Sequence, residues 1–180
     1  AYGMVLVCLE PGPADAPLLA VPEWGAPGVV PVWLPVIEVR GGGAQLLDNF
    51  LDFTHFPFIH AGTFGAGEDA LVHDYDVEHD AVSLRVRYDH VIENTEDPLV
   101  ATGEHPLLQP RTMEYTFSVP FAGRLRIELP LTGVENTILF WCAPVDADHS
   151  RVFCALLRND VSGPDDPAAL GRRRPDRPPS

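Results

Sequence analysis

Two imidazoles, His55 and His60, stand five residues apart, with the carboxylate of Asp52 three residues before the first and the amide of Asn49 three before that. The sequence between and around them is apolar: Phe50, Leu51, Phe53, Phe56, Phe58 and Ile59. Polar groups in such surroundings are costly to bury unless something compensates them. A divalent metal does so, and neutral imidazole is its commonest protein ligand. Two histidines and a carboxylate are the parts of the facial triad that holds non-haem Fe(II) and leaves positions open for oxygen and substrate. The competing reading is plainer: two histidines that cap a helix and bond to backbone.

These groups need an element to position them. Gln45 to Thr54 reads as a short helix, with Leu46, Leu47, Phe50, Leu51 and Thr54 at helical spacing. Pro57 forbids a regular continuation, because it lacks an amide hydrogen and clashes with the preceding turn. On an unbroken helix, positions five apart diverge by about 140°. A break at Pro57 lets His60 swing back toward His55, while Asp52 and His55, three apart, share a face.

The pattern Asn-x-x-Asp-x-x-His-x-x-x-x-His, followed by Gly62-Thr63-Phe64-Gly65, resembles the mononuclear iron motif of Rieske non-haem iron oxygenases. The likeness is to the catalytic, C-terminal domain of the branch that includes vanillate O-demethylase and pheophorbide a oxygenase. The resemblance implies that His55 and His60 are iron ligands. It implies that Asp52 is the acid that relays electrons from a neighbouring subunit's iron–sulfur cluster, and that Asn49 is a polar residue close to the site. It further implies mononuclear Fe(2+), a Rieske [2Fe-2S] cluster and NAD(P)H, the last two supplied by another domain or by a ferredoxin and reductase. Oxygen then hydroxylates an aromatic substrate, or removes an O-methyl group as formaldehyde. The family is commonly trimeric, so a homotrimer is expected.

Composition bounds the rest. One hundred and eighty residues, 46% hydrophobic and 21% charged, suit one globular domain. The net charge is -14 and all twelve basic residues are arginine. That acidity argues against nucleic acid and against anionic membrane surfaces, since both require a basic face. The four arginines among the last nine residues belong to a Pro-rich tail and do not alter this. No apolar run is long enough for a transmembrane helix. Ala1 to Leu9 is apolar but short and lacks a basic leader, so a cytoplasmic location is expected. Cys8, Cys142 and Cys154 lie far apart, with no Cys-x-x-Cys or Cys-x-His pair, so the chain carries no cluster ligands of its own. Cys142 and Cys154 fall in expected strands and read as small buried apolar residues.

The first ten residues read as one strand, similar to the last strand of a Rieske domain, where a Tyr-Gly-hydrophobic run enters a Pro-rich connector. Residues 11–35 form that linker; Glu10 to Pro35 holds seven of the nineteen prolines. If the likeness holds, the cluster-binding half is missing. Residues 29–160 are expected to form the catalytic domain. Val29 to Val39 is β-rich, and Gly41-Gly42-Gly43 lets the chain turn into the motif helix. Leu71–Val77 and Ala81–Tyr88 alternate around a turn at His79-Asp80. Asn94 to Pro110 reads as a polar loop near the site. Arg111–Pro120 and Arg124–Pro130 form a hairpin turning at Ala122-Gly123, with Leu125, Ile127 and Leu129 facing in and Arg124, Arg126 and Glu128 facing water. Glu135–Pro144 and Arg151–Leu157 make a last pair around an acidic turn.

Consecutive hairpins with few helices predict an α+β domain built on a curved antiparallel sheet with helices on one face. The resemblance implies a START-like helix-grip fold enclosing an apolar pocket, closed by a long C-terminal helix that bears the third iron ligand, an aspartate. This sequence departs from that pattern. After Asp160 it runs through Gly163, Pro164 and Pro167 into Pro175, Pro178 and Pro179. Residues 161–180 therefore read as a disordered, apparently truncated tail, with the C-terminal helix missing. The third ligand is left unassigned, with Asp160, Asp165 and Asp166 as weak substitutes.

The other candidates have plainer readings. His73, His79 and His149 are expected to be solvated, and His90 or His105 to reach the pocket mouth. Met113 and Trp141 read as core or pocket wall, and Glu38, Glu114 and Glu128 as outward strand positions. The alternative to an oxygenase is a non-catalytic START-like module that binds an apolar ligand, or an inactive remnant.

Overall fold

A computed structural model describes residues 1–7, 18–52, 54–59 and 71–166. Its frame is an antiparallel meander, β3 (Asp76–His79), β4 (Ser83–Glu93), β5 (Leu108–Ser118), β6 (Ala122–Leu129), β7 (Val134–Pro144) and β8 (His149–Arg158). Two short strands, β1 (Val30–Trp33) and β2 (Ile37–Arg40), lie end to end along β8 and complete the eight-stranded sheet. The β-rich stretch at 29–39 thus splits in two around Pro35, which has no amide to donate to the ladder. The α+β class and the antiparallel sheet are as expected.

Period-2 alternation along β4 to β7 sends Val86, Tyr88, Met113, Tyr115, Phe117 and Leu125 to one face. There they pack against α1 (Gly43–Leu51), through Leu46, Leu47, Phe50 and Leu51. The key contact is Phe50, whose ring lies 4.6 Å from Phe140, 5.7 Å from Phe117 and 5.8 Å from Tyr115. Two glycines make room for this. Gly43 faces the Phe121 ring, and Gly123, inside β6, faces Phe140 and Phe117. Gly123 is therefore a strand residue paired with Phe117 and Phe140, and not the expected turn, which falls at residues 119–121.

The opposite face is also covered, which the sequence reading did not expect. Leu139, Trp141, Ala155 and Leu157 pack against Leu19 and Val21 from the Pro-rich segment. Rings of Tyr2, Trp24 and Trp33 gather on Trp141, as core and not as pocket wall. Of the strand expected over residues 1–10, residues 1–4 form a turn, Met4 N–H donating to the Ala1 carbonyl, residues 5–7 pair with no described strand, and residues 8–10 lie outside the described residues. Because of this cover Arg124 does not face water: it is 8% exposed and is bound by Glu23 of the linker. Burial pushes the Glu23 carboxyl up, but its hydrogen bond from Arg124 and that cation's charge more than reverse this and hold it below the usual carboxylate range.

The expected polar loop at 94–110 contains a short helix, α3 (Pro98–Thr102), and a buried polar network. Asp97 accepts from Leu99 N–H and from Gln109 Nε2, and lies 2.7 Å from His105 Nδ1. Asn94 donates to Gln109 at 3.0 Å. Beyond β8, residues 159–166 form bends and a turn with no helix, and residues 167–180 lie outside the described residues. Among the described residues no helix is long and apolar enough to cross a membrane.

Candidate metal site

Helix α1 ends earlier than the hydrophobic spacing suggests, and the cause is Asp52 rather than Pro57. Asp52 takes an extended backbone (φ -77°, ψ 106°), and its Oδ1 accepts the Thr54 N–H at 2.7 Å and the Thr54 hydroxyl. Such local bonds from an aspartate compete with helix continuation. The chain then re-enters a one-turn helix, α2 (Phe56–Ile59), whose Phe58 and Ile59 amides donate to the His55 carbonyl. Pro57 sits in that first turn, where an absent N–H costs nothing. The break that repositions the chain thus lies three to five residues before the proline.

The second oxygen of Asp52, Oδ2, lies 3.3 Å from His55 Nδ1. One carboxylate therefore builds the turn and fixes the imbalance of charge beside the imidazole. The hydrogen bond from the Thr54 hydroxyl is the main reason that the Asp52 carboxyl stays below its ordinary range, so it is an anion at neutral pH. The Asp52 side chain remains 41% exposed, whereas His55 is 14% exposed.

His55 and Asn49 line one cavity of about 90 Å³. Its roof also includes the rings of Phe50 and Phe56, and its floor is Leu125, Ile127 and Ile138 from β6 and β7. Three of the four expected site residues, Asn49, Asp52 and His55, are thus brought together at one place. The fourth, His60, lies outside the described residues. The sequence reading had Leu125 and Ile127 facing inward but did not place them opposite His55. The signal that would have done so is Gly123, a glycine inside a strand, which marks where another element approaches closely.

Of the two histidines expected to hold a metal, only His55 is among the described residues. An imidazole on a largely apolar wall, with a carboxylate at its Nδ1, matches the way metal-bound histidines are oriented by an outer acid, and imidazole is a donor that Fe(II) accepts. Among the described residues no three His, Cys, Asp or Glu side chains form a metal-sized group. Of the weak substitutes for a third ligand, Asp160 takes both oxygens to Arg158, and Asp166 accepts from Ser162.

Neither His90 nor His105 lines this cavity. His105 is held by Asp97, and His90 stacks on Tyr88 with ring centroids 4.3 Å apart. Arg111, only 4% exposed, donates its Nε–H to His90 Nε2 at 3.0 Å. An arginine can only donate, so that nitrogen carries no proton. Burial first, and the Arg111 charge second, push the His90 pKa down to about 3. His73 adds to this, while the Tyr88 backbone and Asp89 oppose it. The unfolded chain takes up a proton near pH 6.5 that the folded chain refuses until about pH 3, so stability falls as pH is lowered through that window. We expect a loss of roughly 2 kcal/mol between pH 7 and pH 4, after allowance for partial solvent screening. Urea unfolding at the two pH values checks this. His90→Phe should lose clearly less over the same interval, and equal losses would show that His90 is not responsible.

A family model described as the vanillate O-demethylase oxygenase C-terminal domain matches residues 42–176. The probable methylxanthine N7-demethylase NdmC of Pseudomonas sp. (strain TJI-51) is 36% identical over 161 residues, which is 86% of this chain and 55% of that protein. The chain therefore spans about half the length of the curated relative that it matches. Pseudomonas putida CBB5 NdmA with caffeine superposes with a TM-score of 0.67 at 22% identity, covering 83% of this chain and 41% of that one. Dicamba monooxygenase bound to 3,6-dichlorosalicylic acid gives a TM-score of 0.59 at 11% identity, over 74% of this chain and 41% of that one. At these identities the two structures attest the fold alone. With the family match over most of the chain, the motif at 49–60 has its context: this chain belongs to the vanillate O-demethylase oxygenase C-terminal domain family, the C-terminal domains of Rieske-type oxygenases.

Proposed function

We propose that this chain is the catalytic domain of an O2-dependent demethylase acting on a methylated aromatic or heteroaromatic compound. The observation that carries the proposal is the meeting of Asn49 and His55 on one apolar cavity, with the Asp52 carboxylate on His55 Nδ1. The family's name, and that of the NdmC relative, favour removal of a methyl group from oxygen or nitrogen over ring hydroxylation.

His55 and His60, with a third carboxylate, are the proposed holders of Fe(II). When bound there, Fe(II) supplies the open coordination positions at which O2 is activated. Asp52 orients the His55 ring and keeps a negative charge beside it. Asp52, whose side chain is partly exposed, is also the proposed point of electron entry from a neighbouring subunit's Rieske [2Fe-2S] cluster in a homotrimer. Asn49 offers an amide at the cavity wall, and the apolar floor keeps water from the reacting carbon. Across the whole reaction, one oxygen atom enters a methyl C–H bond. The O–CH2OH or N–CH2OH product then expels formaldehyde and leaves O–H or N–H on the ring. The other oxygen atom leaves as water, using two electrons from NAD(P)H and two protons.

Two measurements test this. Anaerobic reconstitution should give one iron per chain. The iron-loaded chain alone should not turn over, since its sequence holds no cluster ligands, but should release formaldehyde from a methylated aromatic when given a Rieske protein and reductase. Absence of iron, with binding of a hydrophobic probe retained, would return the chain to the ligand-binding module.

A further inference from the structure

The carboxylate of Asp52 is partly exposed, yet something aims it. Its Oδ2 lies 3.3 Å from His55 Nδ1, just beyond the usual range of an N–H···O bond. A pair of that length on a partly exposed acid contributes too little to fix a side chain by itself. The terminal torsion of an aspartate is also broad, so the carboxylate plane needs a second hold. Thr54 provides it: both its N–H and its hydroxyl donate to Oδ1, and no other described residue donates to that oxygen. We infer that Thr54 is a positioning residue for the metal site: its hydroxyl pins Asp52 Oδ1, so that Oδ2 keeps the proton of the neutral His55 ring on Nδ1 and leaves the Nε2 lone pair for a metal. The identity of that metal rests on the demethylase reading; the hydrogen bonding does not.

The two bonds from Thr54 have separate jobs. The N–H bond, at 2.7 Å, closes the local turn that ends α1, and being backbone it survives substitution of the side chain. The hydroxyl bond adds nothing to the path of the chain. It restrains the carboxylate from a second direction, and that is what turns Oδ2 toward the imidazole. Thr54→Val keeps the shape and removes only this bond. Because Thr54 is exposed, its loss leaves no buried polar group unpaired, and the fold should tolerate it. Thr54→Ser keeps the hydroxyl and drops the methyl group. A neutral imidazole has one proton for two nitrogens. A carboxylate held at Nδ1 favours the form protonated there, which presents Nε2 to a metal. With the carboxylate loosened, a share of the chains carries its proton on Nε2, and apparent affinity falls with the fraction that remains competent.

The test begins with the full 180-residue chain without metal, labelled with 15N-histidine and held above the titration range of imidazole. The His55 signals are identified by their loss in His55→Gln. In the native chain Nδ1 should resonate as a protonated nitrogen and Nε2 as a bare one. Thr54→Ser should keep that pattern. Thr54→Val should draw the two shifts toward each other while its melting temperature stays within about 2 °C of the native value. If Thr54→Val does not unfold cooperatively, Thr54→Ala takes its place with the same expected shift. Anaerobic titration with Fe(II) then gives the second readout. Thr54→Val should bind about 3- to 10-fold more weakly and Thr54→Ser within about twofold of native, since loss of an outer group typically costs about 10- to 100-fold and here the acid itself remains. A native His55 protonated on Nε2, or unchanged shifts in a folded Thr54→Val, overturns the inference. So does an equal change in the valine and serine variants, which would assign the effect to the methyl group, or an unchanged iron affinity where the shifts have moved. Should the native chain bind no iron at all, the demethylase reading fails, and the nitrogen shifts still decide what Thr54 does.

Discussion

Alanine at position 55 is expected to leave the chain folded and to abolish its retention of iron. His55 contributes the only imidazole that the described residues place on the cavity wall, and its ring is held from behind by Asp52 at 3.3 Å. Removing it deletes one of three proposed ligands, and the remaining donors cannot restore the geometry that a facial site requires. Folding should survive, because the helix is anchored to the sheet by Phe50, several residues earlier, and not by the imidazole. Asp52→Asn supplies the contrast. It keeps the side-chain shape but removes the charge and weakens the hold on Nδ1, so iron should still bind, about 10- to 100-fold more weakly. Electron delivery should suffer in the same variant if Asp52 lies on the route from the cluster, so single-turnover oxidation would slow even at saturating iron. Metal analysis after anaerobic reconstitution, with circular dichroism on the same samples, separates these outcomes. One iron per chain retained by His55→Ala would remove His55 from the ligand set.

Much of this site was legible because it is local in sequence. Asn49, Asp52 and His55 span seven positions, and a single turn of helix followed by a break is enough to bring Asn49 and His55 to one cavity with Asp52 beside the His55 ring. What the sequence misassigned was the agent of that break. Pro57 is the conspicuous helix breaker, yet the chain leaves α1 at Asp52, because an aspartate can bond to the amide two residues on and a proline in a first turn does no harm. The strands were legible for the same reason, since alternation is a nearest-neighbour property. Contacts between distant segments were not. Arg124 alternates as a solvent-facing residue, and only the return of Glu23 from 101 positions away makes it a buried one. Likewise His90 and Arg111 are separated by 21 positions, and only the β4–β5 register makes them partners. Gly123 was visible but misread: glycine marks turns and close approaches alike, and the choice between them depends on which rings lie across the sheet.

That glycine is where the second large effect is expected. A Cβ built at position 123 would stand 2.1 Å from Phe140 Cε1, 2.7 Å from Phe140 Cδ1 and 2.8 Å from Phe117 Cε1. Contacts so short force atoms to move, and the rings have little freedom to do so. Phe140 and Phe117 are both buried and lie 6.0 Å apart, with Phe50 packed against each. Any displacement of Phe140 away from position 123 is therefore transmitted to Phe50 and so to α1, the helix that carries Asn49 and leads into Asp52. Gly123→Ala should cost about 3 kcal/mol or more, at the upper end of what overpacking a core usually costs. It should also weaken iron binding although it touches no ligand, because the motif helix is tilted from its seat. Gly163→Ala, where nothing lies within 4 Å of an added Cβ and no unusual backbone angle is needed, should stay within about 0.5 kcal/mol of the native chain. The clash has an identifiable partner, so Phe140→Leu should relieve it. The double variant should be more stable than the sum of the two single losses predicts, by roughly 1 kcal/mol or more. Urea unfolding of the four chains completes the cycle. Strict additivity would mean that the strain is absorbed by the backbone of β6 rather than by the ring, and the link from Gly123 to the metal site would then be lost.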